Sequence, residues 1–276
     1  MGFDQIKTRG LVMLGCGKMG QAMLGGWIEN KIDPANIIVV DPDLKNLKVA
    51  SELGCRGIRA ASEIPGDFEP DVVVLAVKPQ IISDVLATFR AFAEKGSLVV
   101  SIAAGTRIAT FEAAFGETAA VIRAMPNTPA AVHQGMIVCC PNENVSEAQR
   151  AHCDRLMQAI GSVAWIDDEA LMDAVTGLSG SGPAYVFYMI EAMTAAGVKA
   201  GLPEPLAVQL AQETVAGAGA LARQSGETAA QLRKNVTSPN GTTAAGLEIL
   251  MNEKSGLAPL LEKTVAAATA RSKELG

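Results

Sequence analysis

Residues 11–20 read LVMLGCGKMG. A short apolar run passes directly into Gly15-Cys16-Gly17-Lys18-Met19-Gly20, the spacing G-x-G-x-x-G, and an apparent helix follows. A strand that enters such a turn and leaves as a helix is half of a strand-helix-strand unit. Gly15 allows the tight turn, Gly17 lets backbone approach a pyrophosphate, and Gly20 lets the helix lie close on the strand. Unpaired N–H groups and the positive end of the helix dipole then suit phosphate. On this reading Leu14, Gly15, Cys16, Gly17, Lys18, Met19 and Gly20 line a bound dinucleotide.

The surrounding pattern agrees. β-rich apolar runs at 11–14, 36–40, 71–77, 97–102 and 119–122 alternate with helical stretches at 18–30, 43–53 and 81–94. Further strands are expected at 136–140 and 163–166, with a helix at 146–160 between them; the pattern fades at 57–64. Alternation of this kind predicts a parallel sheet covered on both faces. From 167 onward the chain reads as helix only. The expected fold is α/β: a Rossmann-like doubly wound sheet over residues 1–166, followed by an all-α domain over 167–276.

Asp41 ends the second strand, about twenty residues beyond the glycine turn. An acid there accepts hydrogen bonds from ribose hydroxyls and favours NAD over NADP, or else caps the helix that starts near Pro42. Lys45 and Lys48 are the nearest cations. Ala76, Val77, Lys78 and Pro79 follow one strand, and Ala103, Ala104 and Gly105 follow another. Both groups sit at carboxyl ends, where doubly wound sheets bind ligands. Asn127, in the stiff MPNTP loop after the next strand, is placed at the nicotinamide end of the same cleft. Of two histidines, His152 lies in a polar helix and reads as solvated. His133, after the MPNTP loop, is a weak candidate for catalysis. Asp167, Asp168 and Glu169 suit a helix start better than an acid/base pair.

Net charge is −6, which argues against a nucleic-acid partner. No apolar run reaches the ~20 residues that span a bilayer, and MGFDQIKTRG lacks a signal-peptide core. Five cysteines without metal-ligand spacing fit a reduced, cytoplasmic protein with no metal site. Only 4% of residues are aromatic, yet YVFYMIEAMTAAGVKA in the helical half is apolar almost all round. Such a helix needs cover on every side. A partner subunit is the economical source, and a well-covered central helix in a monomer is the alternative.

No P-loop, G-x-S-x-G or H-E-x-x-H occurs, and no general acid stands out. Ketone reduction calls for a proton donor near oxygen. A protonated imine already carries the charge that hydride cancels, so orientation matters more.

With LGCGKMGQA, LAVKPQ, MPNTPA, TGLSGSGPAYVF and VTSPNGTTAAGL in order, the chain resembles the pyrroline-5-carboxylate reductases nearly end to end. The resemblance implies reduction of 1-pyrroline-5-carboxylate to L-proline with NADPH or NADH, in homodimers that can assemble into larger rings. It implies that Ser238, Asn240, Gly241 and Thr242 cradle the substrate carboxylate, with the Thr243 hydroxyl on the ring nitrogen as the catalytic contact. Ser179, Ser181 and Gly182 form a second small-residue turn of the same kind, expected beside the first. Asn240 stands where the family has glycine, and Asn tolerates the left-handed conformation. Asp41 stands where many relatives have a small or amide residue followed by arginine, which favours NADH here. Lys234 replaces a common acid on an expected surface. Two rivals remain: a reductase of a related cyclic imine or β-hydroxyacid, and a nucleotide-binding sensor. The absence of lysine between Ser101 and Val198 speaks against the β-hydroxyacid, and the intact SPNGTT turn against the sensor.

Overall fold

The computed structural model describes residues 9–275, so most of MGFDQIKTRG lies outside the described residues. The first part of the chain alternates: β1 (Leu11–Leu14), α1 (Lys18–Glu29), β2 (Ile37–Val40), α2 (Leu44–Glu52), β3 (Arg56–Ile58), β4 (Val72–Leu75), α3 (Pro79–Glu94), β5 (Leu98–Ser101), α4 (Ile108–Phe115), β6 (Val121–Met125), β7 (Gly135–Pro141), α5 (Glu147–Gln158) and β8 (Gly161–Trp165). These strands make one sheet in the order β3-β2-β1-β4-β5-β6-β7-β8.

Alternation along each strand divides the apolar residues between two faces. Leu11, Met13, Ile37, Val39, Val72 and Val74 join Met23 and Trp27 of α1 and Leu156 and Met157 of α5. Val12, Leu14, Ile38, Val40, Val73 and Leu75 join Phe89 of α3 and Phe111 and Phe115 of α4. The Trp27 indole donates to the Leu156 carbonyl at 2.9 Å and pins α1 to α5. Continuous Val/Ile/Leu runs, rather than apolar–polar alternation, follow from this double cover.

The expectation of a parallel sheet needs one correction. β7 pairs with β6 antiparallel, Ile122 opposite Pro141 and Met125 opposite Val138, and β8 then pairs parallel to β7. A parallel crossover takes a dozen or more residues and usually a helix. Between β6 and β7 there is only the MPNTP loop with its short 3-10 turn, Thr128–Val132, so the chain turns back. Where the pattern faded, β3 forms an edge strand of three residues. The β5–β6 crossover carries α4, which was not anticipated.

Beyond β8 the described residues contain no strand. They form α6 (Met172–Val175), a π-turn (Thr176–Gly180), α7 (Gly182–Lys199), α8 (Glu204–Gln224), α9 (Ala229–Asn235), α10 (Thr242–Leu250) and α11 (Leu257–Leu275). The chain divides into two compact units. One runs through Gly180 and takes up the chain again from Ala268; the other is Ser181–Ala267. The break falls later than the expected 166/167 because α6 remains with the sheet: Met172 is fully buried in its core. The C-terminal turn of α11 returns to the same unit, where Ser272 Oγ donates to Asp173 Oδ1 at 2.7 Å.

Within the helical unit, Ala207 and Ala211 of α8 are buried, and a Cβ on Gly197 of α7 would lie 3.3 Å from that of Ala207. α7 itself has no buried residue; Phe187 and Tyr188 are 57% and 71% exposed. A well-covered central helix within one chain is thereby excluded.

Candidate active site

β1 and β4 are neighbours, while β2 lies on the other side of β1. Strand order reverses here, and the crevice outside the carboxyl ends is where such sheets take ligands. The glycine turn leaves β1 at this point. Gly15 has φ +91°, and a Cβ there would come within 2.6 Å of the Ala76 carbonyl oxygen. A Cβ at Gly20 would come as close to the Gly15 carbonyl, whereas one at Gly17 would meet nothing within 4 Å. Two glycines therefore let backbone pack on backbone, and the third leaves open space over the helix start. Gly15 N–H donates to the Val40 carbonyl at 2.8 Å, Cys16 N–H to the Asp41 carboxylate at 2.7 Å, and Ala76 N–H to the Leu14 carbonyl at 2.7 Å.

Helix starts differ in what meets their free N–H groups: α6 and α8 lack a cap but carry Asp173 and Glu204 in the first turn, and α4, uncapped by Arg107, has its Ile108 N–H accepted by Glu169. α2, α5 and α9 are capped by the side chains of Asp43, Ser146 and Thr228. α1 begins after Gly17 with no side-chain cap and no acid in its first turn. The same holds for α3 after Lys78, α7 after Ser181 and α10 after Gly241. Unpaired N–H donors at a positive dipole end, left free of the protein's own anions, are suited to a ligand's anion. These four starts fall in the stretches that the sequence assigns to cofactor and substrate.

Asp41 is not a helix cap, since Asp43 takes that role. It is 5% exposed and sits beside the glycine turn. Cys16, next to it, is pushed up to about 12 by burial and then by the Asp41 charge, so its thiol stays neutral. Lys78 is exposed, Ala103 is buried and Ala104 is half-buried; Gly105 takes φ +80°. Leu14, Asp41, Ala76, Val77, Ala103, Ala104 and Gly105 thus gather at the carboxyl ends of β1, β2, β4 and β5.

Asn127 is held by protein partners. Its Nδ2 donates to the Ser179 carbonyl at 3.2 Å and lies 3.4 Å from Ser179 Oγ, and its Oδ1 accepts from Met136 N–H at 2.9 Å. The amide fastens the π-turn to the sheet, and a cofactor contact would have to replace one of these bonds. Gly180 lies against Met125, where a Cβ would strike Met125 Cε.

In the helical unit, Ser238-Pro239-Asn240-Gly241 closes on itself. Gly241 N–H donates to the Ser238 carbonyl at 3.1 Å, and Asn240 has φ +58°. Proline followed by a left-handed residue is the arrangement of a type II turn, and asparagine supplies it in place of glycine. A Cβ at Gly241 would strike Ser238 Oγ. Thr242 and Thr243 follow as the first exposed residues of α10.

The sequence reading missed Arg123. It is buried in β6, and its Nη1 donates to Glu169 Oε1 at 2.8 Å. The same oxygen accepts Ile108 N–H at 2.9 Å and so caps α4. An arginine inside the apolar run AAVIRAM was the available signal, because a buried guanidinium requires an anion. Of the acidic cluster, Asp168 caps its own 3-10 turn and Glu169 is this anion.

His133 takes φ +56°. Its ring nitrogens lie 3.1 Å from the Ala159 carbonyl and 3.1 Å from Glu29, a structural role. His152 is not solvated as expected: Nε2 is buried without a hydrogen-bond partner. Burial lowers its pKa from the ordinary value, with Asp71 opposing. The native state therefore binds the proton less readily than the unfolded chain. Stability is full above about pH 6.5 and falls as pH drops through the lower native value. His152→Leu should flatten the loss of unfolding free energy between about pH 7 and pH 5; an unchanged slope in urea titrations would show that His152 does not carry it.

Comparison with known proteins agrees with this arrangement. A family model described as pyrroline-5-carboxylate reductase dimerisation matches residues 169–275, and one described as NADP oxidoreductase, coenzyme F420-dependent, matches 11–105. The pyrroline-5-carboxylate reductase of Pseudomonas aeruginosa is 40% identical over 98% of both chains. The chain belongs to the pyrroline-5-carboxylate reductase family. The reductase of Pisum sativum is 38% identical over 96% of this chain and 95% of its own. The solved pyrroline-5-carboxylate reductase of Coxiella burnetii superposes with TM-score 0.91 at 34% identity, covering 98% and 99% of the two chains. That of Plasmodium falciparum, solved with NADP bound, superposes with TM-score 0.83 at 32% identity over 97% and 98%. The family model for dimerisation falls on the helical half, where α7 leaves its apolar residues exposed. No described helix is long and apolar enough to cross a membrane.

Proposed function

We propose that the chain reduces 1-pyrroline-5-carboxylate to L-proline with a nicotinamide cofactor, as a homodimer or a ring of dimers. The observation that carries this is that the chain has an uncapped, acid-free helix start in each unit, α1 behind a glycine turn and α10 behind the Ser238–Gly241 turn. Family membership along the whole chain supports it. When bound, the cofactor supplies the hydride that adds to the carbon of the C=N bond. The nitrogen keeps its proton and becomes the secondary amine.

The remaining work falls to this chain's own groups. N–H groups of Gly17, Lys18, Met19 and Gly20 hold the pyrophosphate; Val77, Lys78, Pro79, Ala103, Ala104 and Gly105 line the cofactor's path. Ser238, Asn240, Gly241 and Thr242 hold the substrate carboxylate, and Ser179, Ser181 and Gly182 are the other substrate-binding residues of this reading. The Thr243 hydroxyl accepts from the protonated ring nitrogen and orients it. No side chain needs to supply a proton, consistent with the structural role of His133. Asp41 favours NADH by accepting from the ribose and opposing a 2′-phosphate.

Purified protein with racemic pyrroline-5-carboxylate should consume NADH, followed by loss of the reduced-nicotinamide absorbance, and should consume NADPH more slowly. No loss with either cofactor would refute the reaction. Faster loss with NADPH would refute the role of Asp41.

A further inference from the structure

The Asp41 carboxylate is held from three sides. Its Oδ2 accepts from Cys16 N–H at 2.7 Å and from Asn46 Nδ2 at 3.0 Å, and its Oδ1 accepts from Asp43 N–H at 2.8 Å. Asn46 is itself held, since its Oδ1 accepts from Gln21 Nε2 at 3.3 Å. The same Gln21 amide donates to the Cys16 carbonyl at 2.9 Å. The Cys16 residue is thus gripped at its N–H and at its C=O. A ring of side-chain bonds joins the glycine turn, α1, α2 and the acid at the end of β2.

Neither Gln21 nor Asn46 belongs to the glycine motif. Their consequence lies in what Asp41 is prevented from doing. A carboxylate hanging on one bond can swing away when a second anion arrives. This one is 5% exposed, and turning it would break three hydrogen bonds and strand the buried Cys16 N–H at its full desolvation cost, while the part-buried Asp43 N–H and Asn46 amide would lose their partner. One lone pair of Oδ1 remains to accept from a ligand hydroxyl.

We infer that Asn46, braced by Gln21, is a positioning residue for cofactor choice. It holds Asp41 where the carboxylate can accept from a ribose hydroxyl and cannot retreat from a 2′-phosphate. Asn46 touches Asp41 rather than the ligand, and the inference rests on the nicotinamide-cofactor reading above.

The test is binding rather than turnover. Dissociation constants for NADH and NADPH are measured on full-length protein without substrate, from the fluorescence of the reduced nicotinamide. Wild type should favour NADH. Asn46→Leu keeps the bulk and removes the donor; it should move the ratio of the two constants about tenfold toward NADPH, the scale of one hydrogen bond to a charged group. In an Asp41→Ser background, the same substitution should move the ratio no further. An unmoved ratio overturns the inference while dinucleotide binding stands. So does an equal loss of both cofactors, which a merely structural residue would give, and so does a wild type that prefers NADPH. Wild-type protein that binds neither removes the inference and the cofactor reading together, whereas failure of imine reduction alone is seen separately in the absorbance assay.

Discussion

Glu169→Ala is expected to cost about 3–5 kcal/mol of folding stability, the range for removing one partner of a buried ion pair. The Arg123 side chain is 6% exposed and that of Glu169 is 28% exposed, so the two halves of the pair are unequal. Removing the glutamate strands a guanidinium that water barely reaches, and it also uncaps Ile108 N–H at the start of α4. Removing the arginine leaves a carboxylate that can still hydrate and still cap α4. Arg123→Met should therefore cost less than Glu169→Ala. The double variant Arg123→Met/Glu169→Gln should recover part of the larger loss, because no charge is then left buried alone. Urea midpoints at one fixed protomer concentration decide the matter, since association shifts apparent stability. A single variant Glu169→Ala within about 1 kcal/mol of wild type would show that the pair is solvated and of surface strength.

The pair also marks where the sequence was hard to read. Elements with strong local grammar were legible: β1, β2, β4 and β5 are apolar runs buried on both faces, and the glycine turn specified its own role at Gly15 and Gly20. The direction of β7 was not legible from its residues, because MIVCC looks the same in either orientation. It is set by the length of the MPNTP loop, which is too short for a crossover. β3 escaped notice because three residues at a sheet edge carry little pattern. The π-turn was read as simple helix and small-residue turn, since its geometry depends on Asn127 reaching Ser179 and on Met125 against Gly180, contacts across some fifty residues. His152 was misread for a similar reason: its helix is polar, but its ring turns inward. Side-chain clamps such as Gln21–Asn46–Asp41 are formed between elements and leave no periodic trace. The small-residue turn before α10 was legible for the opposite reason. Ser, Pro, Asn, Gly and Thr each restrict local backbone, and Asn240 adopts the left-handed conformation that the turn demands.

That turn carries the other large expected effect. Thr243→Ala should lower turnover of pyrroline-5-carboxylate about ten- to a hundredfold, the scale of one hydrogen bond to a charged group, with NADH binding unchanged. The reasoning separates two parts of one ligand. On the proposed reading the carboxylate rests on backbone N–H groups at the start of α10, which Thr243→Ala leaves in place, and the ring nitrogen depends on one hydroxyl. Thr243→Ser keeps that hydroxyl and should retain most of the turnover, which a purely steric role for the threonine methyl would not allow. Gly241→Ala acts on the other part: its Cβ would strike Ser238 Oγ, deform the turn and raise KM for the substrate more than it lowers kcat. The two variants should therefore move different constants, although they lie two residues apart. If Thr243→Ala leaves kcat intact while Gly241→Ala raises KM, the turn is an anion site alone, and orientation of the imine must come from elsewhere in the protein.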